Sequence, residues 1–176
     1  MHIDDEILDL VNAQDEVIAQ MPRSKVYELN LSNFRVINAF IINDKNEICI
    51  PRRVATKKLF PSCLDVSIGG HVSASETYDQ AFARETKEEA DWNIQDFFYK
   101  KIGSLNPNIA PVKAFMHIYI IFSNQTPRFN PNDFCEYFWM TPEECLYRLN
   151  NGDKGKSDLI PLLHYLLKIN VAKIKN

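Results

Sequence analysis

Apolar residues occur in short runs along this chain, and their spacing predicts alternating strands and helices. Runs of strand length lie at residues 34–42, 47–53, 64–68, 97–102, 112–122 and 135–140. The run at 112–122 is apolar on both alternating faces near its end, which is typical of a central strand covered on both sides. Two further runs, at 7–11 and 16–21, predict a small strand pair in an N-terminal extension, residues 1–32.

Three other segments carry helical signals. Helical spacing predicts a helix from about residue 76 to 90, with Ser73 or Ser75 as its N-cap. The sequence Thr141-Pro142-Glu143-Glu144 is a capping box with proline at the first helical position, so a second helix begins there. Leucines on one face of residues 157–169 predict a final helix. Helices on both sides of mixed strands predict an α/β fold, an α/β/α sandwich with a mixed β-sheet between helices, in a single domain over residues 1–176.

The helix over residues 76–90 has an unusual acidic end. Glu85, Glu88 and Glu89 crowd together at i, i+3 and i+4, a spacing at which like charges repel. Glu85 and Glu89 also continue the stripe that begins with Tyr78 and Phe82 and should face the core. Carboxylates turned toward a protein body are costly unless they are protonated, paired or bound to a cation. The pattern therefore favours a hard divalent cation with oxygen ligands, and a solvated helix end is the simpler alternative.

This segment resembles the Nudix box, G-x5-E-x7-R-E-U-x-E-E-x-G-U, where U is a bulky apolar residue. The positions in register are Gly70, Glu76, Arg84, Glu85, Glu88 and Glu89, with Trp92 in the last apolar slot. Thr86 and Asp91 depart from the pattern, at positions that concern packing and helix termination. The resemblance covers roughly residues 33–170 and implies the Nudix-type α/β/α sandwich and a hydrolase that cleaves a diphosphate linkage in a nucleoside diphosphate linked to X, or in a related small molecule.

The resemblance also implies roles for the box residues. Glu85 and Glu89 would be the main Mg²⁺ ligands, with Mn²⁺ as an alternative ion. Glu88 would be a further ligand or the base, and the Gly70 carbonyl another ligand. Arg84 would pair with Glu76 or Glu88 and orient the cluster. The implied catalytic carboxylates are Glu88, Glu89 and, from outside the box, Glu136.

Residues outside the box are weaker candidates. Glu136 is either a metal ligand or general base, or a surface residue at a strand end, and Asp133 is the second choice for that role. Arg53 and Lys57 belong to a basic cluster that could meet a substrate phosphate, although ordinary surface charge explains them as well. His71 is a relic, a substrate contact or a surface residue.

Two other functions remain open. The chain also looks like the Nudix branch closest to isopentenyl diphosphate isomerase, in which a cysteine lies two residues before a metal-binding histidine. Here Gly69 stands at the cysteine position and His71 at the histidine position, so hydrolysis is favoured over isomerisation. The other alternative is a catalytically silent Nudix module that binds a nucleotide or a partner.

Composition limits the cellular compartment and the kinds of partner that we expect for the protein. The 20 basic and 23 acidic residues give a net charge of −3, which argues against nucleic acid as the main partner. Four widely spaced cysteines without a C-x-x-C pair indicate reduced thiols in a cytosolic protein. The acidic start MHIDDEILDL shows no secretory signal, and no apolar run is long enough for a membrane span. We therefore expect a cytoplasmic protein whose partner is a small-molecule diphosphate, with a homodimer left open.

Overall fold

The computed structural model describes residues 5–169 and 174, and regular structure in this part of the chain comprises eight strands, four α-helices and one short 3-10 helix. The strands are β1 Ile7–Val11, β2 Val17–Pro22, β3 Arg35–Ile42, β4 Ile48–Arg53, β5 Ile68–His71, β6 Phe98–Leu105, β7 Phe115–Phe122 and β8 Phe134–Met140. The helices are α1 Arg23–Glu28, α2 Tyr78–Ala90, α3 Pro142–Asn150 and α4 Leu159–Ile169, and the 3-10 helix is Ile94–Asp96. None of the described helices is long and apolar enough to cross a membrane.

The main sheet is mixed and is organised around β3. Its order is β6-β7-β3-β4-β8, and β5 pairs with β3 as well. The pairing of β3 with β7 is parallel, from Arg35 opposite Phe115 to Ile42 opposite Phe122. β5 runs antiparallel to β3, with Gly70 opposite Ile37. The diglycine segment is therefore fixed in the middle of the sheet, next to a fully buried strand residue.

Alternate β3 side chains point to opposite faces of the sheet. Both sets are apolar, so each face is covered by helices. On one face Ile37, Ala39 and Ile41 form a core with Phe82 and other apolar residues of α2. On the other face Phe40 and Ile42 join a second core that includes Cys145 of α3 and four leucines of α4, namely Leu159, Leu162, Leu163 and Leu166. The predicted α/β/α sandwich with a mixed sheet between helices is confirmed.

An N-terminal unit, residues 5–34, lies against the start of β3 and the segment before α2. β1 and β2 form an antiparallel pair, and α1 follows directly. Leu8, Leu10 and Val26 are buried in a third apolar cluster with Phe34 and Ala114. The unit thus has a small core of its own, which is completed by Ala114 from the segment just before β7.

The start of α2 differs from the sequence prediction. Its N-cap is Thr77, whose hydroxyl accepts a hydrogen bond from the Gln80 amide while the Gln80 side chain accepts one from the Thr77 amide. Ser73 and Ser75, the predicted caps, instead bind the N-terminal unit: the Ser73 hydroxyl donates to Glu6 and the Ser75 amide donates to Asp9. Both predicted caps were wrong: the Ser73 hydroxyl and the Ser75 amide have partners in the N-terminal unit, and the cap lies further along the chain at Thr77.

Two further boundaries differ. The predicted strand at 64–68 is displaced, since β5 begins only at Ile68 and Leu64 makes isolated bridges with Arg52 and Gly155. The short helix α1, with a single buried residue, Val26, carried no periodic signal in the sequence. The remaining strands, the capping box at Thr141 and the final helix agree with prediction to within a few residues.

Candidate functional site

Arg84 ties together the two ends of the box. Its guanidinium donates to both carboxylate oxygens of Glu76, at 3.0 and 2.9 Å, and to the His71 carbonyl at 2.9 Å. The same side chain donates to Glu85 at 2.8 Å and reaches Glu88 at 3.4 Å. Burial opposes ionisation of Glu76, but hydrogen bonding to Arg84 holds its pKa below the usual value. All three nitrogens of the Arg84 guanidinium therefore donate to groups of the protein, and they hold α2 against the segment that precedes it.

Glu85 lies directly against Gly70. A Cβ atom built on Gly70 would be 1.9 Å from Glu85 Oε1 and 2.7 Å from its Cγ, so only glycine leaves room for this carboxyl group. Glu85 is 9% exposed. Burial raises its pKa to about 7, although the neighbouring Arg84 charge acts in the opposite direction. The contact between Gly70 and Glu85 explains why a glycine is needed at the start of the box.

Glu89 occupies the next turn on the same side of α2. Its Oε2 accepts a hydrogen bond of 2.9 Å from the Gly69 amide. Burial and the nearby Glu85 carboxylate raise the pKa of Glu89 well above its usual value, while the Gly69 hydrogen bond lowers it. Two inward carboxyl groups that repel each other at low dielectric are favourable only with a proton or a cation between them.

The donor set fits a hard divalent cation, and two of its carboxylates, Glu85 and Glu89, already lie together. Carboxylate oxygens are ligands that such ions prefer, and the glycine at position 70 keeps the space beside Glu85 free of a side chain. Glu88, however, points outward with 58% of its side chain exposed. Within residues 5–169 and 174, no three Asp, Glu, His or Cys side chains already form a metal-binding group. The assembled part of the site is thus the Glu85 and Glu89 pair.

Comparisons with known proteins agree with this geometry. The family model described as NUDIX domain matches residues 33–163. The chain is 46% identical over 158 residues to an uncharacterized Nudix hydrolase of Nostoc sp., covering 90% of this chain and 94% of the relative. It is 42% identical over 161 residues to a Nudix hydrolase of Deinococcus radiodurans, covering 92% of this chain and 94% of the relative. The chain belongs to the Nudix hydrolase family.

Solved structures show the same Nudix fold. A crystal structure of a Deinococcus radiodurans protein has a TM-score of 0.88 and 42% sequence identity, and the match covers 91% of this chain and 98% of that one. A C. elegans Ap4A hydrolase has a TM-score of 0.56 at 17% identity, covering 78% of this chain and 98% of that one, and it shows the shared fold alone. Nudix hydrolases generally use a divalent metal ion, which agrees with the inward carboxyl pair.

Glu136 is not joined to the Nudix box by any contact among the described residues. It lies on β8 opposite Arg52 of β4, and its carboxylate is bound by the Arg52 guanidinium. Arg52 also makes a two-pronged contact with Asp153. Asp133, the second choice, forms an ion pair with Lys57. These contacts show surface pairing for three of the residues that the sequence singled out, and a catalytic role for Glu136 stays a prediction.

His71 faces the N-terminal unit. Its Nε2 lies 2.9 Å from the Tyr27 hydroxyl, and its ring packs against Phe34 with a centroid separation of 5.7 Å. Burial, followed by the charges of Arg23, Lys156 and Arg84, lowers the pKa of His71 to about 3. The lowered pKa favours the neutral imidazole, although Glu6 Oε2 lies 3.7 Å from its Nδ1, and the surroundings of His71 are those of a packed residue between two parts of the protein.

Arg53 leads to two residues that the sequence reasoning missed. Its Nη1 donates to Asp65 Oδ2 at 2.8 Å, and Lys156 Nζ lies 3.4 Å from the other oxygen of that carboxylate. Asp65 had a detectable signal, because it is a charge between Leu64 and Val66 in an apolar run. Lys156 had none, since it lies in a polar loop of ordinary composition.

Proposed function

We propose that this Nudix protein hydrolyses a diphosphate linkage in a nucleoside diphosphate linked to X, or in a related small molecule, with Mg²⁺ or Mn²⁺ as cofactor. The observation that supports this most directly is the pair of inward carboxyl groups beside Gly69 and Gly70, from the buried Glu85 and the half-buried Glu89. Two adjacent inward acids whose pKa values are both raised are typical of a functional site.

The metal would be held by Glu85 and Glu89, with the Gly70 carbonyl as a further ligand and Glu88 as either a ligand or the general base. When bound, such an ion neutralises diphosphate charge and makes a water more acidic. Arg84 keeps Glu85 in place and pairs with Glu76, so it orients the cluster and does not contact substrate. Glu88 is exposed and shares α2 with the two inward acids, which favours it over Glu136 as the general base.

A close contact at residue 69 supports hydrolysis over the isomerase alternative. A Cβ atom at Gly69 would lie 2.8 Å from Val66 Cγ2 and 3.3 Å from Asn38 Oδ1. A side chain there would require the Val66 side chain to shift. Gly69 itself carries no acid, so the group that the isomerase resemblance requires for proton transfer at the alkene is missing.

The test is a substrate screen on the purified protein and two variants. Nucleotide sugars, ADP-ribose, dinucleoside polyphosphates, coenzyme A and nucleoside triphosphates are incubated with Mg²⁺, with Mn²⁺ and with EDTA, and the phosphorylated products of diphosphate cleavage are separated and quantified by ion-exchange chromatography. We expect metal-dependent turnover that is lost in Glu89→Gln, with the melting temperature retained. Glu143→Gln, the same chemical change at an exposed position of α3, serves as the matched control.

Three results would contradict the proposal. Full activity of Glu89→Gln would remove the carboxylate pair from the mechanism. Absence of turnover on every substrate with either metal would favour the alternative of a catalytically silent binding module. Alkene isomerisation of isopentenyl diphosphate by the wild-type protein would reverse the ranking of hydrolysis over isomerisation.

A further inference from the structure

The N-terminal unit, residues 5–34, is bonded to the segment that joins β5 to α2. The Ala74 amide donates to the Ile7 carbonyl at 2.7 Å, and Leu8 forms an antiparallel bridge with Ser73. The start of β1 therefore pairs with this segment through its backbone, and the path of the chain into the Nudix helix depends on the N-terminal unit.

A buried carboxylate strengthens the same contact. Asp9 is 3% exposed, and it accepts hydrogen bonds of 2.9 Å from the Ser75 amide and from the Gln20 side chain. Ser75 has a φ of +66°, a left-handed conformation that is uncommon for a residue with a side chain. Such a conformation persists where the surrounding structure holds it. The segment before α2 is thus held in one path by groups of the N-terminal unit.

This segment also carries the partner of Arg84. Ser73 donates its hydroxyl to Glu6 Oε1 at 2.9 Å and its amide to Glu76 Oε2 at 3.0 Å. The Glu76 amide donates back to the Ser73 carbonyl at 3.0 Å. Glu76 binds Arg84 through both carboxylate oxygens, and Arg84 donates in turn to Glu85. A continuous series of hydrogen bonds therefore leads from Glu6 to the inward carboxyl group of Glu85.

The Glu6 side chain has two other neighbours. Its Oε2 accepts a hydrogen bond of 3.1 Å from Arg23, whose side chain is 48% exposed, and an ion pair of this kind contributes little. The same oxygen lies 3.7 Å from His71 Nδ1, which is longer than a hydrogen bond. The bond from the Ser73 hydroxyl is therefore the contact through which Glu6 reaches the Nudix box.

We propose that Glu6 is a positioning residue for the divalent metal site. Through the Ser73 hydroxyl it holds Glu76 and Arg84 in the arrangement that keeps the Glu85 carboxyl group against Gly70. Glu6 acts through these side chains and does not itself bind the ion. This inference rests on the metal site of the proposed hydrolase, and it gives the N-terminal unit a part in metal affinity.

The test measures Mn²⁺ binding by electron paramagnetic resonance of the free ion, at a temperature where circular dichroism shows each variant to be folded. Loss of one hydrogen bond in the series should weaken Mn²⁺ binding by about 3- to 10-fold in Glu6→Ala. Ser73→Ala, which removes the other partner of that bond, should show the same loss. Glu28→Ala is the matched control, because Glu28 belongs to the same unit and pairs with Lys25 at the surface. It should stay within about twofold of wild type.

Two further variants separate positioning from loss of negative charge and from a general loosening of the N-terminal unit. Glu6→Gln is neutral but keeps an oxygen that can accept the Ser73 hydroxyl, so it should recover most of the affinity. In the Ser73→Ala background the hydroxyl is gone, and the added change of Glu6→Ala should then alter Mn²⁺ affinity by less than about twofold. Glu89→Gln should remove most of the binding, which assigns the measured ion to the box.

Three results would overturn the inference. These are wild-type Mn²⁺ affinity in Glu6→Ala, an equal loss in Glu6→Gln and Glu6→Ala, and a loss that is undiminished in the Ser73→Ala background. Mn²⁺ binding that survives Glu89→Gln would contradict both the positioning role and the metal site. Mn²⁺ binding that depends on Glu6, in a protein that turns over no diphosphate, would support the positioning role while contradicting the hydrolase proposal.

Discussion

Replacement of Gly70 by alanine tests the central contact of the site. The new methyl carbon would lie 1.9 Å from Glu85 Oε1 and 2.0 Å from Glu85 Cδ. The backbone at Gly70 has no positive φ, so the substitution brings no conformational strain of its own. Its whole effect should therefore come from the displaced carboxyl group.

The size of the effect follows from the geometry. To reach an ordinary contact of 3.4 Å from its present 1.9 Å, Glu85 Oε1 must move by about 1.5 Å. Arg84 holds that carboxyl group at 2.8 Å, and burial leaves little room for another rotamer. Overpacking of this kind costs about 1–3 kcal/mol of unfolding free energy. A displacement of about 1 Å in a catalytic group can lower turnover by about 100-fold.

A double-mutant cycle with Glu85→Ala isolates the contact. Urea unfolding gives the cost of Gly70→Ala in the wild-type background and in the Glu85→Ala background, where the clashing atoms are gone. We expect the cost to fall to below about 0.5 kcal/mol in the second background, because alanine also reduces the entropy of the unfolded chain. An equal cost in both backgrounds would refute the claim that Gly70 is needed to make room for Glu85.

Two further predictions concern stability. Thr77→Ala should lower the unfolding free energy by about 1 kcal/mol in urea, since it removes the cap on the Gln80 amide, and Thr141→Ala at the equivalent cap of α3 is the matched comparison. No loss in Thr77→Ala would contradict the assigned cap. Burial and Lys101 lower the pKa of His117 from 6.5 to about 4, so below pH 6.5 the unfolded chain binds the extra proton and wild type loses stability as pH falls toward 4. After allowance for partial exposure this amounts to roughly 1–2 kcal/mol, and a stability difference between wild type and His117→Gln that is independent of pH would contradict it.

The sequence alone predicts which side of the helix each box carboxylate faces, because the helical period determines the direction of each side chain. Glu85 and Glu89 follow Phe82 by three and seven positions, so they had to share its inward side, and Glu88 had to lie away from it. The structure has the same arrangement, with Phe82 and Glu85 buried and Glu88 exposed.

The cap of α2 could not be chosen from the sequence. Ser73, Ser75 and Thr77 all precede the helix and can all accept a capping hydrogen bond. In the structure the Ser73 hydroxyl donates to Glu6 and the Ser75 amide donates to Asp9, two residues that lie more than 60 positions earlier and hold this segment outside the helix. Local propensity does not contain such tertiary competition.

Residues that meet through strand pairing were equally hidden. Arg52 binds Glu136 because β4 pairs with β8, an arrangement that skips three strands and a helix along the chain. Asp65 and Lys156 meet because a loop bridges to Leu64. Neither pairing produces a periodic pattern in the sequence. The sequence shows which residues are charged, but it does not show which of them form ion pairs.

The parallel pairing of β3 with β7 has a consequence for how this protein comes to be folded. The paired residues Arg35 and Phe115 are 80 positions apart, and the whole box leaves the ribosome before β7 does. Phe82 of α2 stacks on Tyr119 of β7 at a centroid distance of 4.1 Å. Until that strand arrives, the helix that carries the acidic residues has an incomplete apolar partner, and such long-range contacts form slowly. A nascent chain or truncated fragment that contains every residue of the box is therefore still without the packing that aligns the box, and the acidic face of α2 gains its full support only after β7 has been made.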